Sequence, residues 1–149
     1  MNSNSKEQQE LIRVFVDAKI LGRDDPTKRK RTFVAYIVRA REDLQGFTEI
    51  LAEGADETDE AELHAIAFAI RKLETLIPGV VVMSDNQSVV DVINRASGQV
   101  STTKKILAEI MQLMGPKSPI TVQWYENNPA HRFLNKRVSE TIASENLNR

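Results

Sequence analysis

The sequence predicts an α/β protein with a five-stranded mixed sheet, in which three antiparallel strands are followed by parallel strands and helices flank the sheet. Two observations predict this class. In the first third of the chain, hydrophobic residues occur in short runs separated by turn residues, which is typical of an antiparallel meander. From residue 58 onward, segments with helical period alternate with short apolar runs, and this order indicates parallel strands joined by crossover helices.

Three strands are predicted before residue 58, at residues 11–16, 32–38 and 47–52. The first is almost continuously apolar, which is typical of a strand buried on both faces. A turn that contains Asp25-Pro26 separates the first two strands, and residues 41–43 are expected to form a short turn before the third.

The later elements follow from the spacing of their apolar residues. Apolar side chains recur every three or four positions in the helical segments, and Pro78-Gly79 is a stop signal for the first of them. The predicted elements are, in order, helix 58–77, strand 80–83, helices 88–95 and 102–114, strand 120–125 and a final helix over about 129–144.

The composition indicates one globular domain. The chain has 149 residues, of which 41% are hydrophobic and 28% charged, and a chain of this length buries roughly 70% of its unfolded surface. We expect a flexible leader at residues 1–10, one domain at 11–145 and a C-terminal tail at 146–149. Because no run of about 18 apolar residues occurs and the first ten residues are polar, we expect no membrane span, no signal peptide and a cytoplasmic location.

The absence of cysteine limits the possible chemistry. With no cysteine and two histidines, disulfides, Cys-ligated zinc, iron–sulfur clusters and thiol nucleophiles are excluded. Any metal must be held mainly by oxygen, which favours Mg²⁺ or Mn²⁺. We expect no organic cofactor and a monomer.

Three carboxylates occur where a soluble domain usually has apolar residues. Asp17 and Asp85 each follow the apolar run of a strand, and Glu62 lies one helical turn before Ile66 on an apolar stripe. In open mixed sheets, ligands bind beyond the carboxyl ends of parallel strands, where both aspartates are predicted. Because burying an unpaired carboxylate is costly, three acids directed to one place suggest a bound cation.

Each acid also has an ordinary structural interpretation. Asp85 would cap the helix that follows it, and Asp17 would be a residue that ends a strand. Glu62 would complement the helix dipole, although Glu57 or Asp59 would do so equally well. Together the three acids favour phosphodiester hydrolysis with two divalent ions about 4 Å apart, which activate water and stabilise the leaving oxygen. The sequence has no glycine-rich phosphate loop and no Gly-x-Ser-x-Gly motif.

Four segments resemble, in order, the catalytic blocks of ribonuclease H type I. They are Val-Phe-Val-Asp (14–17), Asp-Glu-Ala-Glu-Leu-His-Ala-Ile (59–66), Met-Ser-Asp-Asn-Gln-Ser-Val-Val (83–90) and Asn-Asn-Pro-Ala-His (127–131). The resemblance extends from about residue 11 to 143 and implies a ribonuclease H-like fold. It also implies cleavage of the RNA strand of RNA/DNA hybrids with two Mg²⁺ or Mn²⁺ ions per site, and it makes Asp17, Glu62 and Asp85 catalytic metal ligands.

The fourth catalytic position departs from that family. Where the family usually has Asp in an Asn-x-x-Ala-Asp pattern, this chain has His131. With Asn128 as cap and Pro129 as first helical residue, His131 is expected in the first turn of the last helix. Related nucleases of the wider superfamily use His in this role, so His131 is predicted as the fourth catalytic and metal-binding residue. The alternative is an exposed His in a protein that has lost full activity.

Two further departures concern nucleic-acid contact. Thr58 and Asp59 stand where the family commonly has Asn residues that contact the hybrid, and Ala18-Lys19 replaces Gly-Ser after the first aspartate. The net charge is −1, so contact with phosphates is expected from local groups and should depend on salt. The alternative interpretation of the basic residues in this set is an ordinary solvated surface with no role in binding. The predicted nucleic-acid-binding residues are Lys19, Lys28, Arg29, Lys30, Arg31, Thr58, Asn86, Lys104 and Lys105.

Three functions are therefore considered. The first is a metal-dependent endonuclease that cleaves the RNA strand of RNA/DNA hybrids. The second is a non-catalytic nucleic-acid-binding or protein-interaction domain on the same fold. The third is a structure-specific DNA nuclease.

Overall fold

The computed structural model describes residues 12–39, 41–51, 55, 57–73, 80–96, 105–114 and 120–147. The predicted leader, residues 1–10, lies outside these ranges. Nine regular elements occur in the described part of the chain: β1 (Ile12–Leu21), β2 (Arg31–Val38), β3 (Arg41–Ile50), α1 (Thr58–Leu73), β4 (Val80–Ser84), α2 (Gln87–Ala96), α3 (Lys105–Met114), β5 (Thr121–Trp124) and α4 (Ala130–Leu147).

The five strands form one mixed sheet in the order β3-β2-β1-β4-β5. Strands β1, β2 and β3 pair antiparallel, whereas β4 pairs parallel with β1 and β5 pairs parallel with β4. The predicted arrangement of three antiparallel strands followed by parallel strands is confirmed. The crossover from β3 to β4 runs through α1, as expected when a parallel strand is added to a sheet.

Strand β1 is longer than predicted. It was expected to end before Asp17 but continues to Leu21, because β2 stays paired with it along this length, with Asp17 opposite Ala35. Its parallel pairing with β4 ends earlier, at Phe15 opposite Met83. Asp17 therefore lies in mid-strand, two residues beyond the end of the parallel ladder.

Strand β3 also begins earlier than predicted. Residues 41–43 were expected to form a turn, but they belong to the strand, and Arg41 pairs with Val38 across a register shift. The strand thus begins at Arg41 despite the polar composition of this segment. Further along, Gly46 pairs with Tyr36, and a Cβ at Gly46 would lie 2.2 Å from the tyrosine ring. Only glycine leaves room for that ring.

The other element boundaries differ by a few residues. The last helix continues to Leu147, beyond the predicted end near residue 144 and into the expected tail. Strand β4 and helix α2 meet the predictions to within one residue, whereas β5 is one residue shorter at each end. The expected segments 74–77 and 102–104 lie outside the described residues.

Helices cover both faces of the sheet. Val14 and Val16 of β1 point towards α1, α2 and α3 and join the larger core, which includes Ile66 and Ile110. Phe15 points to the opposite face, where α4 packs. Successive side chains of a strand point to opposite faces, so the alternation along β1 decides which side chains face each layer. Burial of each large aliphatic or aromatic side chain stabilises the fold by roughly 1.5–3 kcal/mol.

Helix α1 is suited to its central position by its sequence. Nine of its residues are buried, including Ala61, Ala65 and Ala69, whose small side chains let the helix approach the sheet closely. Asp59 and Glu60 lie in its first turn and Arg71 and Lys72 in its last, so the charges complement the helix dipole. None of the described helices is long and apolar enough to cross a membrane.

Candidate metal centre

Three carboxylates meet at the end of the parallel ladder. One carboxylate oxygen from each of Asp17, Glu62 and Asp85 lies within 4.8 Å of the others. Asp17 and Glu62 are only 6% and 4% exposed, whereas Asp85 faces solvent. Asp17 comes from β1, Glu62 from the first turns of α1, and Asp85 from the residue that follows β4. The structure thus brings together the three acids that the sequence predicts as ligands.

The site joins the two faces of the sheet. Asp17 shares the side of β1 occupied by Phe15 and faces α4, whereas Glu62 belongs to a helix on the other face. They approach each other because β4 ends at Ser84 and does not continue alongside Asp17. A cavity of about 130 Å³ opens there, smaller than the roughly 300 Å³ typical of pockets for organic ligands.

Glu62 is held by a buried serine. Ser84 Oγ donates a hydrogen bond of 2.5 Å to Glu62 Oε2 and accepts one of 3.1 Å from the backbone N–H of Asn86. Burial, and then the negative charges of Asp17 and Asp85, raise the pKa of the Glu62 carboxyl to about 8 against the opposing effect of this hydrogen bond. Near neutral pH the carboxyl therefore keeps its proton until a cation compensates the charge.

Asp17 has partners on the α4 side. Its Oδ1 accepts a hydrogen bond of 2.9 Å from the backbone N–H of Ala18, and its Oδ2 lies 3.0 Å from His131 Nδ1. Burial raises the pKa of the Asp17 carboxyl, as does the charge of Asp85, while the hydrogen bond with His131 acts in the opposite direction. Two neighbouring acids with raised pKa values form a place where positive charge, carried either by protons or by a divalent cation, is stabilised.

His131 belongs to a chain of hydrogen bonds that ends at Asp17. Lys19 Nζ donates to Asn135 Oδ1 at 2.7 Å, and the Asn135 amide nitrogen lies 3.2 Å from His131 Nε2. Because an ammonium can only donate, Asn135 accepts through its oxygen and turns its amide N–H groups towards Nε2. His131 Nε2 then accepts, and Nδ1–H donates to Asp17. His131 is 67% exposed and contacts the carboxylate site through Asp17.

The beginning of α4 is attached to β1 through Asn128. Its Oδ1 accepts from the backbone N–H of Ala130 at 2.9 Å, as an N-cap does, and its Nδ2 donates to the carbonyl of Val16 at 2.5 Å. The cap was predicted from the sequence, but the bond to Val16 was not, because no local pattern reveals a contact across 112 positions. This bond sets His131 beside Asp17.

Asp85 is not the cap of α2. Asn86 fills that position, since its Oδ1 accepts from the backbone N–H of Val89 at 3.0 Å and its Nδ2 donates to Asp59 Oδ1 at 3.0 Å. The capping interpretation of Asp85 is therefore wrong, and its carboxylate remains directed to the site. Asn86 lines the cavity, but its side chain is used in binding α1 to α2. Asp59 also accepts from Ser88 Oγ at 3.3 Å.

The predicted basic contacts are distributed unevenly. Lys28, Arg29 and Lys30 are exposed in the turn between β1 and β2, at the end of β1 to which Asp17 also belongs. Lys105 is exposed at the start of α3, and Lys104 lies outside the described residues. Lys19 is bound to Asn135, as described above.

Arg31 has a structural role in the sheet. Its guanidinium donates to both carboxylate oxygens of Glu49 at 2.9 and 2.8 Å and to Glu145 at 2.8 Å. These carboxylates raise the pKa of Arg31 above its usual range. The residue thereby joins β2, β3 and α4, and it has little donor capacity left for a phosphate.

Sequence reasoning missed Arg23. This exposed residue lines the same cavity as the carboxylates and Thr58, the exposed first residue of α1. Its position depends on Gly22, whose φ of +75° is suited to glycine, and a Cβ there would lie 2.9 Å from the carbonyl oxygen of Arg29. The only local signal was the glycine after an apolar run.

Comparison with known proteins places the fold. A family model described as reverse transcriptase-like matches residues 26–136, a range that includes Glu62, Asp85 and His131. A foamy viral protease-reverse transcriptase in complex with dsDNA has a similar structure, with a TM-score of 0.61 and 16% identity over 83% of this chain and 86% of that one. No curated protein matches the sequence.

Two further structures are similar. The PFV RNase H domain has a TM-score of 0.60 and 20% identity, and the match covers 82% of each chain. The native prototype foamy virus protease-reverse transcriptase has a TM-score of 0.58 and 18% identity over 77% of this chain and 17% of that one. At these identities the likeness shows a ribonuclease H-like fold.

Proposed function

Because the chain belongs to the reverse transcriptase-like family and has a ribonuclease H-like fold, we propose that it is a metal-dependent endonuclease that cleaves the RNA strand of RNA/DNA hybrids. The observation that supports this most is the group of three carboxylates with oxygens within 4.8 Å of one another, two of them buried. Clusters of this kind hold the divalent ions of two-metal nucleases.

The donor set fits hard divalent cations. All three groups are carboxylates, which suit Mg²⁺ and Mn²⁺. The raised pKa of Glu62 fits the same interpretation, since a buried acid among other acids is stabilised either by a proton or by a cation. Asp17, Glu62 and Asp85 would hold two such ions. When bound, the ions would activate water and stabilise the leaving oxygen of the phosphodiester.

The protein's own groups prepare the site for that chemistry. The Ser84 hydroxyl orients Glu62 through a hydrogen bond, and the backbone N–H of Ala18 and the His131 ring orient Asp17 in the same way. Groups that hold ligand carboxylates in place typically affect metal affinity or activity by roughly 10–100-fold. Arg23 and Thr58, which line the cavity, are placed to contact a bound phosphate backbone.

Cleavage of a labelled hybrid tests this proposal. Wild-type protein with Mg²⁺ or Mn²⁺ should cut the RNA strand, whereas Asp85→Asn should not. Asp24→Asn is a matched control, because it removes an exposed aspartate from the turn after β1. Equal product from wild type and Asp85→Asn would show that any cleavage comes from a contaminant and would overturn the proposal.

The hydrogen bonds of His131 support a second candidate, a nucleic-acid-binding or protein-interaction domain without turnover. Both ring nitrogens are used by Asp17 and Asn135, so the fourth position does not present a free ligand atom in this arrangement. This candidate predicts salt-dependent binding of the hybrid without product in either metal.

Asp59 supports a third candidate, a structure-specific DNA nuclease. This acid lies at the start of α1, hydrogen-bonded to Asn86 and Ser88, in place of an amide that would contact the 2′-hydroxyls of RNA. Offering branched DNA beside the hybrid separates the two nucleases, since the preferred substrate is cut faster. We also propose that the protein is a cytoplasmic monomer, which size-exclusion chromatography with light scattering and cell fractionation would test.

A further inference from the structure

The chain's single tryptophan lies beside the carboxylate site. Trp124 ends β5 and pairs in register with Ser84 of β4. Paired residues of neighbouring strands project to the same face of a sheet, so the indole is on the side where Ser84 contacts Glu62. Its Nε1–H donates a hydrogen bond of 3.3 Å to the backbone carbonyl of Asp85. The ring is thereby fixed next to the residue that supplies the exposed carboxylate.

Packing in the core does not account for the position of the Trp124 ring. Trp124 is 44% exposed, whereas Val122, two residues earlier on the same face, is buried in the core. Among the described residues, four large hydrophobic side chains are exposed, and Trp124 is the one hydrogen-bonded to a residue of the carboxylate site. Aromatic residues with a fixed polar edge and an open apolar surface are typical of binding sites.

A nucleobase is the ligand that suits such a ring at this position. Bases stack on aromatic side chains, and this stacking tolerates any sequence because every base has a π-face. A base inside a duplex has both faces covered by its neighbours, so stacking on protein requires a base that is unpaired or terminal. The carboxylates beside Trp124 are where the proposed function puts the scissile phosphate.

We propose that Trp124 is a stacking platform for an unpaired or terminal nucleotide that flanks the cleaved bond. This inference rests on the proposed function and narrows its substrate class. The preferred substrate is then a hybrid with a gap, flap or overhang next to the cleavage position, and a continuous duplex is bound more weakly.

Fluorescence of the single tryptophan provides a direct test. The Asp85→Asn variant serves as the parent, because the indole binds the backbone carbonyl of residue 85 and not its side chain. A hybrid with a single-stranded flap should quench the fluorescence, whereas a blunt hybrid should quench it little. Equal quenching by the two hybrids would overturn the inference.

Affinities of further variants measure the contribution of the ring. In the same parent, Trp124→Leu should weaken binding of the flapped hybrid by about 5- to 150-fold, as measured by anisotropy of a labelled strand. Trp124→Phe, which keeps a ring but not the N–H donor, should retain most of the affinity. Leu51→Ala, which shortens an exposed side chain after β3, is the control.

Two outcomes would oppose the inference. Suppose that wild-type protein cleaves hybrids, but that adding Trp124→Leu to the Asp85→Asn parent leaves the affinity for both hybrids unchanged. Trp124 is then not a stacking platform, and the proposed function stands. If wild-type protein neither cleaves nor binds any hybrid, both fail. Circular dichroism melting of the Leu and Phe variants separates a lost contact from a lost fold, since a variant that melts as its parent does has kept the fold.

Discussion

The carboxylate site has two halves that are built differently. Glu62 lies in a buried half, where its partner Ser84 is fully buried and is itself fixed by the backbone of Asn86. Asp17 is held from the other face by His131, a largely exposed side chain at the start of α4. The buried half therefore tolerates little change, whereas the exposed half contains His131, which replaces the usual aspartate of ribonuclease H type I.

The largest effect should come from removing a ligand of either half. Glu62→Gln and Asp17→Asn should each lower hybrid cleavage by more than about 100-fold, because losing a ligand should exceed the roughly 10–100-fold effects of the groups that support ligands. Steady-state cleavage in Mn²⁺ measures this, with Asp24→Asn as control. If either variant keeps wild-type activity, the substituted residue is not a metal ligand that catalysis requires.

The next effect should come from the support of the buried half. Ser84→Ala deletes the donor to Glu62 and leaves the N–H of Asn86 without that acceptor. Mn²⁺ affinity should fall by roughly 10–100-fold, and the free energy of unfolding by roughly 1–3 kcal/mol. Calorimetric titration and urea unfolding report the two quantities. Thr121→Ala on β5, which is exposed, should change neither.

The buried half should also make stability depend on pH. The pKa of Glu62 is raised from 4.5 to about 8 in the folded protein, so the folded state binds more protons than the unfolded state in this window, and stability falls as pH rises through it. Glu62→Gln removes that loss. Without metal, the variant should be more stable than wild type at pH 9, on the order of 1–2 kcal/mol, with the difference shrinking towards pH 5.

Unfolding curves measured in a chelator give this comparison. Addition of Mn²⁺ should stabilise wild type more at pH 9 than at pH 6, since the cation competes with the Glu62 proton. A difference between wild type and Glu62→Gln that stays constant with pH would contradict the assignment of the proton to Glu62.

The smallest effects are expected in the exposed half. His131→Ala should lower activity by about tenfold, the low end of the effect of groups that support ligands. His131→Asn, which can place an amide N–H near the position of Nδ1, should restore much of it if His131 acts by orienting Asp17. Asn135→Ala should cost only a few-fold, because it acts through His131.

A different result would identify His131 as a ligand. In that case His131→Asp should match or exceed wild type, since it restores the acid of the related family, and His131→Asn should be as poor as His131→Ala. The dependence of the rate on Mn²⁺ concentration separates the two roles, because a lost ligand raises the concentration needed and a lost orienting group lowers the maximal rate.

Much of the fold was predictable from local sequence. Period-two and period-three-to-four patterns, together with breakers such as Pro78-Gly79, identify the nine elements in order. The failures occurred where pairing outweighed composition: β1 continues past Asp17 because β2 accompanies it, and β3 begins at Arg41, which pairs with Val38 of β2. Such pairings depend on how one strand lies against its neighbour, which the residue pattern of a single segment does not contain.

The three acids were also identified by the sequence alone, because an acid on an apolar stripe or after an apolar run conflicts with its surroundings. The sequence predicted that they converge beyond the carboxyl ends of the parallel strands, whereas the distances between them and the partners of each were decided only by the tertiary structure. Hydrogen bonds join elements up to 112 positions apart, namely Ser84 to Glu62, Asn128 to Val16 and Trp124 to Asp85. Sequence patterns report which face of its own element a residue occupies, whereas distances between elements follow from how the layers pack.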